Sequence, residues 1–144
     1  MNVEITLIGL LISSFFVEIM GIYPGGIIVP VYIAIFLDQP MRIIGTILVA
    51  SISVLIYRLF STRFILFGRR RFIFLLVLSG LLSLLWYKFA PSIFPRGEQM
   101  RTVGWIVPGL LANVIERQGF FWTLISMAGV AVCIFLVMKG IAIL

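Results

Sequence analysis

Four stretches of the chain, residues 5–22, 41–60, 72–89 and 120–144, are each long and apolar enough to cross a bilayer, where a helical crossing takes about 20 residues. The first is interrupted only by Glu18, and the third ends in Trp86, Tyr87 and Lys88, a set suited to the membrane interface. Hydrophobic residues make up 62% of the 144 and charged residues 11%, whereas soluble domains carry about 25% charge. A soluble chain of this size could not bury that much apolar surface, so the surplus faces lipid. A secreted module, a cytosolic enzyme and a disordered tail are excluded. The expected fold class is an all-α integral membrane protein, a single membrane domain over residues 1–144 with little extramembrane mass.

What is missing narrows the chemistry. With no histidine, the chain has no imidazole for a catalytic triad, a metal site or a proton shuttle. The single Cys133 cannot form an intrachain disulfide. Neither the phosphate-loop string G-x-x-x-x-G-K-[ST] nor the dinucleotide string G-x-G-x-x-G occurs. Any ATP chemistry must therefore belong to a partner. No nucleophile is placed beside a base, and Ser13, Ser14, Ser51, Ser53, Ser79, Ser83 and Ser126 read as helix-packing residues. No catalytic residue, bound cofactor, metal site or nucleic-acid partner is expected of this chain. Met1, Asn2, Val3 and Glu4 carry no basic residue, and no small-residue cleavage site follows the first apolar run, which argues against a removable signal peptide.

Between the long runs lie two short apolar pieces, 27–37 with Pro30 inside it and 103–115 with Pro108 and Gly109. The order long, short, long therefore occurs twice. At an offset of 78 residues, Gly26-Ile27-Ile28-Val29-Pro30 falls on Gly104-Trp105-Ile106-Val107-Pro108, Ala34 on Ala112 and Asp38 on Glu116. This pattern predicts two similar halves, about 1–68 and 69–144. A proline within a short apolar piece frees backbone groups that lipid cannot satisfy. Paired broken helices in duplicated bundles point to a site between the halves. The alternative is that Pro30 and Pro108 only kink two ordinary packed helices. If both short pieces cross, there are six spans and inverted halves; if both dip and return, there are four spans and parallel halves. A first segment without Lys or Arg favours six.

The net charge is +6, and five of the eleven basic residues (Arg58, Arg63, Arg69, Arg70, Arg71) fall in one fourteen-residue stretch without an acid. Such a cluster marks a cytoplasmic loop. It also suits docking of anionic lipid, an acidic partner or an anionic polymer. Glu18 is the costliest residue of its run, at about 2.5–3.5 kcal/mol for a carboxyl in a membrane helix. Its functional reading is a ligand- or proton-binding carboxyl inside the bundle; otherwise it sits at the membrane rim. Asn113 and Arg117, four apart and so on one helical face, stand beside the second break. The candidate substrate- or polymer-binding residues are thus Glu18, Pro24, Gly25, Gly26, Pro30, Gly104, Pro108, Gly109, Asn113 and Arg117. Arg69, Arg70 and Arg71 are the candidate docking residues.

The string Glu18-x-x-Gly21-Ile22-x-Pro24-x-Gly26-x-x-Val29-Pro30 resembles the N-terminal motif of the poly-gamma-glutamate biosynthesis membrane subunits, the PgsC/CapC family. The likeness continues through Gln39-Pro40 and Phe67-Gly68-Arg69-Arg70-Arg71-Phe72. It ends with Gly104-x-Ile106-Val107-Pro108-Gly109-Leu110-Leu111-Ala112-Asn113 and Gln118-Gly119, so it covers essentially the whole chain. One departure is Val31, where the family pattern leads one to expect Gly. The resemblance implies a multi-pass protein of the bacterial cytoplasmic membrane. Its expected partners are an ATP-dependent poly-gamma-glutamate ligase, which would carry the ATP and metal, and an accessory surface-exposed, membrane-anchored subunit. Together they would make poly-gamma-glutamate and move it across the membrane. The rival expectation is a stand-alone small transporter or channel for an anionic metabolite or ion.

Overall fold

A computed structural model describes residues 3–64, 68–93 and 106–144. Every regular element among them is a helix: α1 Val3–Met20, α2 Val29–Ile35, α3 Pro40–Ser61, α4 Arg69–Ile93, α5 Val107–Gln118 and α6 Phe120–Ile143. Four of them, α1, α3, α4 and α6, are long and apolar enough to cross a membrane. This is the expected arrangement of four full-length helices and two short ones. The seven residues of α2 rise about 10 Å at about 1.5 Å each, against a hydrocarbon core of about 30 Å. The twelve of α5 rise about 18 Å. Neither crosses by itself, and the residues flanking α2 are not helical. Among the described residues four helices are thus long and apolar enough to cross, and neither short helix is.

Pro30 and Pro108 begin helices rather than interrupt them. Each is the second residue of its short helix, where the missing N–H would have lacked a helical partner anyway and the ring presets the backbone angle. The breaks therefore lie on the N-terminal side of each proline. The helices start at Val29 and Val107, the residues matched by the 78-residue offset, and Ala34 and Ala112 are both buried. Beyond that they differ, since α5 runs five residues longer than α2.

The chain divides into two compact units, one of Met1–Asp38 with Val114–Leu144 and one of Gln39–Asn113. In the first unit, α2 packs against α1 and α6, and α1 packs against α6. Five of the seven residues of α2 are buried, so this short helix is core. Across from it α6 buries Thr123, Ser126, Met127, Val130, Ala131 and Ile134, the i, i+3, i+4, i+7 spacing of a single helical face. The opposite faces of the same helices present Leu7, Leu11, Phe15, Phe121, Ile125 and Leu136 outward, as a lipid-facing surface requires. In the second unit α3 packs on α4. Gly45, Thr46, Val49, Ala50, Ser53, Val54 and Tyr57 form the buried stripe of α3, and Leu75, Ser79 and Ser83 that of α4. The stripes are rich in small residues, which let helix backbones approach closely where lipid offers no hydrophobic drive to associate. The Ser53 and Thr46 hydroxyls donate to carbonyls of their own helix, both at 2.8 Å, so their burial leaves no donor unpaired. Ser13, Ser53, Ser79, Ser83 and Ser126 are all buried, the packing role expected of them.

Two glycines end helices by the same device. Gly21 (φ 65°) donates its N–H to Val17 O at 2.9 Å, and Gly119 (φ 104°) donates to Ile115 O at 2.9 Å. Gly119 combines its positive φ with a ψ of 155°, and a side chain at either glycine would strain the backbone. The first closes α1; the second turns the chain from α5 into α6.

The departure at residue 31 has a local explanation. Val31 is 1% exposed, and its two methyls lie 3.0 and 3.2 Å from where a Cβ on Gly9 would stand, with Ile134 Cγ2 at 3.5 Å. The larger residue on α2 is thus matched by a bare backbone on α1. Gly9→Val is expected to lower stability by about 1–3 kcal/mol through overpacking. Val31→Gly in the same chain should restore most of it, and a thermal-unfolding double-mutant cycle of the purified protein measures that coupling. Additive losses would show that the two residues do not share a space.

Candidate functional site

Residues 21–28 carry the chain from α1 to α2 without helix. Pro24 and Gly25 are buried there, and Gly25 and Gly26 have φ of 82° and 103°. Among the described residues, the backbone N–H groups of Gly25, Gly26, Ile27 and Ile28 make no backbone hydrogen bond. In a chain surrounded largely by hydrocarbon, such a row of donors persists only where protein, water or a ligand answers it.

The segment is held at Tyr23 from the far end of the sequence. Tyr23 N–H donates to Gln118 Oε1 at 3.1 Å, and Gln118 Nε2 donates back to Tyr23 O. The remaining Nε2 hydrogen reaches Thr123 Oγ1 at 3.2 Å, whose own hydroxyl donates to Gly119 O at 2.7 Å. One carboxamide therefore closes on the N–H and C=O of one residue across 95 residues of sequence. The neighbouring Arg117 guanidinium lies over the Tyr23 ring, 5.9 Å from its centroid, in cation–π range. Tyr23 is 44% exposed and Arg117 is exposed. Among the described residues Arg117 takes part in no ion pair, so its charge is available to an anion.

The residues singled out from the sequence are distributed as follows. Pro24, Gly25 and Gly26 share the first unit with Arg117, and the Tyr23 ring brings that arginine onto their segment. Pro30 is buried in α2. Glu18 is exposed on α1, three residues before the capping Gly21. In the second unit, Asn113 is half-buried on α5, and its buried Oδ1 has no hydrogen-bond partner. Pro108 and Gly109 sit in the first turn of α5, where a Cβ on Gly109 would come within 2.9 Å of Leu76 Cα and 2.6 Å of Ser79 Oγ. That makes Gly109 a close-packing residue. Gly104 lies outside the described residues.

Tyr23 and Gln118 are the residues that sequence reasoning left off the candidate set. Gln118 was visible only as part of the Gln118-Gly119 string, and nothing local marks Tyr23 as its partner. At the other cluster, Arg69 and Arg70 are exposed and Arg71 is half-buried, its Nε buried without a hydrogen-bond partner. All three stand in the first turn of α4. There the helix dipole disfavours cations, so helix stability does not account for them. The N–H groups of that first turn and the three guanidinium groups together favour an anion.

The description "Capsule biosynthesis CapC" belongs to a family model that matches residues 8–124 of this chain. A Bacillus subtilis protein named PGA biosynthesis protein CapC is 36% identical over 115 residues, which is 78% of this chain and 76% of that protein. A Bacillus anthracis protein named Capsule biosynthesis protein CapC is 36% identical over 113 residues, with the same coverage of each. No solved structure matches the chain. With four helices long enough to cross a membrane and both short motif segments inside the matched region, this chain belongs to the CapC family of capsule biosynthesis proteins.

Proposed function

We propose that this chain is the membrane subunit of a complex that makes poly-gamma-glutamate and exports it across the bacterial cytoplasmic membrane. Membership of the CapC family carries the reading. A partner ligase supplies the ATP-dependent polymerisation, along with its nucleotide and metal. An accessory surface-exposed, membrane-anchored subunit completes the assembly. The chain itself offers the polymer two cationic stations. Arg69, Arg70 and Arg71 dock the ligase or the incoming polyanion on the cytoplasmic side, where basic loops reside. Arg117, beside the open amides of Gly25 and Gly26, takes polymer carboxylates. With four crossings, both ends of the 144 residues lie on one side.

Purified from its own membrane in mild detergent, the chain is expected to bring down an ATP-dependent ligase, and the isolated complex to form γ-linked polymer from glutamate and ATP. Arg117→Gln should reduce polymer by up to about fivefold at equal membrane level, the loss of one exposed charge pair worth about 0.2–1 kcal/mol. Anion flux into liposomes by the purified chain alone, with no ligase in the isolated complex, would instead establish a stand-alone transporter.

A further inference from the structure

We propose that the backbone N–H and C=O of Tyr23 are a docking site for γ-glutamyl amides, and that Gln118 is their built-in occupant, displaced when the polymer arrives. The inference rests on the reading of the chain as a poly-gamma-glutamate subunit. It adds a recognition subsite and a competitor to that reading.

Glutamine is the γ-carboxamide of glutamic acid, with two methylenes followed by C=O and N–H. A γ-linked polymer of glutamate repeats that same group, each amide preceded by two methylenes and flanked by an α-carboxylate. Gln118 presents its carboxamide to Tyr23 in the paired manner of two extended strands, accepting from the Tyr23 N–H at 3.1 Å and donating to the Tyr23 carbonyl. A trans secondary amide directs its N–H and C=O to opposite sides, so a single polymer amide does not make both bonds at once. Its cis–trans geometry differs from that of a primary amide, so the polymer pairs with the N–H and C=O of Tyr23 through two successive amides or through one of the two bonds at a time.

The surroundings suit such a ligand rather than an internal brace alone. Both Tyr23–Gln118 bonds are exposed, so a competitor can reach them. Arg117 stands next to Gln118 with its guanidinium over the Tyr23 ring, where it would meet the α-carboxylate that accompanies every γ-amide. The N–H groups of Gly25, Gly26, Ile27 and Ile28 continue in the same segment without backbone partners, a row of further donors for the carboxylates and carbonyls that follow. When displaced, Gln118 does not leave a stranded group, because its amide already touches the Thr123 hydroxyl at 3.2 Å and faces the exposed side of the unit.

A built-in occupant lowers apparent affinity by the fraction of time it holds the site. Loss of two exposed hydrogen bonds from the occupant corresponds to between about fivefold and about a hundredfold in apparent affinity. The test is binding of a γ-linked glutamate decamer to the purified full chain in nanodiscs, with the α-linked decamer as the isomeric control of identical charge. Gln118→Ala and Gln118→Asn, the latter one methylene short of Tyr23, should each bind the γ-linked decamer about tenfold tighter than the native chain while the α-linked affinity stays constant. Circular dichroism and thermal unfolding identify any variant that has lost its fold, and the Asn variant covers loss of the Ala one. If the native chain binds the γ-linked decamer and both variants bind it equally or more weakly, Gln118 is a brace or a contact residue and the competitor is overturned. If α- and γ-linked decamers gain alike, the site reads charge only and amide recognition is overturned. If neither decamer binds any folded variant, and Arg117→Gln leaves polymer synthesis in cells unaltered, the underlying polymer reading falls as well.

Discussion

Gly109→Val is expected to deprive the chain of a stable fold, with little folded protein recovered from membranes. A Cβ at this position would stand 2.6 Å from Ser79 Oγ, 2.8 Å from Leu76 Cδ2 and 2.9 Å from Leu76 Cα. The hydroxyl and the leucine methyl can rotate, but the Cα belongs to the backbone of α4, so relief requires the helices to part. Overpacking costs about 1–3 kcal/mol where side chains can adjust, and a backbone clash puts this substitution at or above the upper end. The measurement is thermal unfolding in detergent, or the monodisperse fraction after solubilisation. The control is Gly80→Ala, on α4 itself, where an added Cβ meets nothing within 4 Å. There the helix gains intrinsic preference of up to about 1 kcal/mol, and stability should hold or rise. Equal behaviour of the two variants would show that α5 does not pack against α4 at this glycine.

Replacing Arg69, Arg70 and Arg71 together by Gln is the second large expected effect, this time on polymer rather than on folding. These residues occupy the first turn of α4, where three cations oppose the helix dipole. Their removal should leave the helix no less stable. What it removes is attraction for an anion. At about 0.2–1 kcal/mol for each exposed charge pair, the combined loss runs from about threefold to about a hundredfold in docking of ligase or polymer. Polymer released per cell at equal membrane level reads it out. A side-specific tag at the N-terminus confirms that the altered charge has not inverted the chain. Unchanged synthesis with normal orientation would assign the cluster to topology alone.

The residues along the chain already contained most of the helical plan. The long apolar runs became α1, α3, α4 and α6, and both Val-Pro pairs became helix starts. The extent of the short helices was not legible. Only seven residues of the piece around Pro30 become helix, and hydropathy does not report where a helix begins. Arg117 was legible from its position beside the second break. Its meeting with Tyr23 was not, because the partner lies 94 positions earlier and carries no pattern of its own. The matching of Gly9 with Val31 was hidden for the same reason.

By itself the sequence determined that this chain is helical, apolar enough for four crossings and a member of the CapC family. Helices form from bonds between residues four apart, so a long apolar run satisfies its own backbone in lipid without a partner strand, and that information is local. Only the tertiary structure decided that Gln118 closes on the N–H and C=O of Tyr23, that Val31 fills the space Gly9 leaves, and that Gly109 admits the backbone of α4. Each of these is a pairing of groups far apart in sequence, chosen by shape and by hydrogen-bonding capacity once the helices have packed.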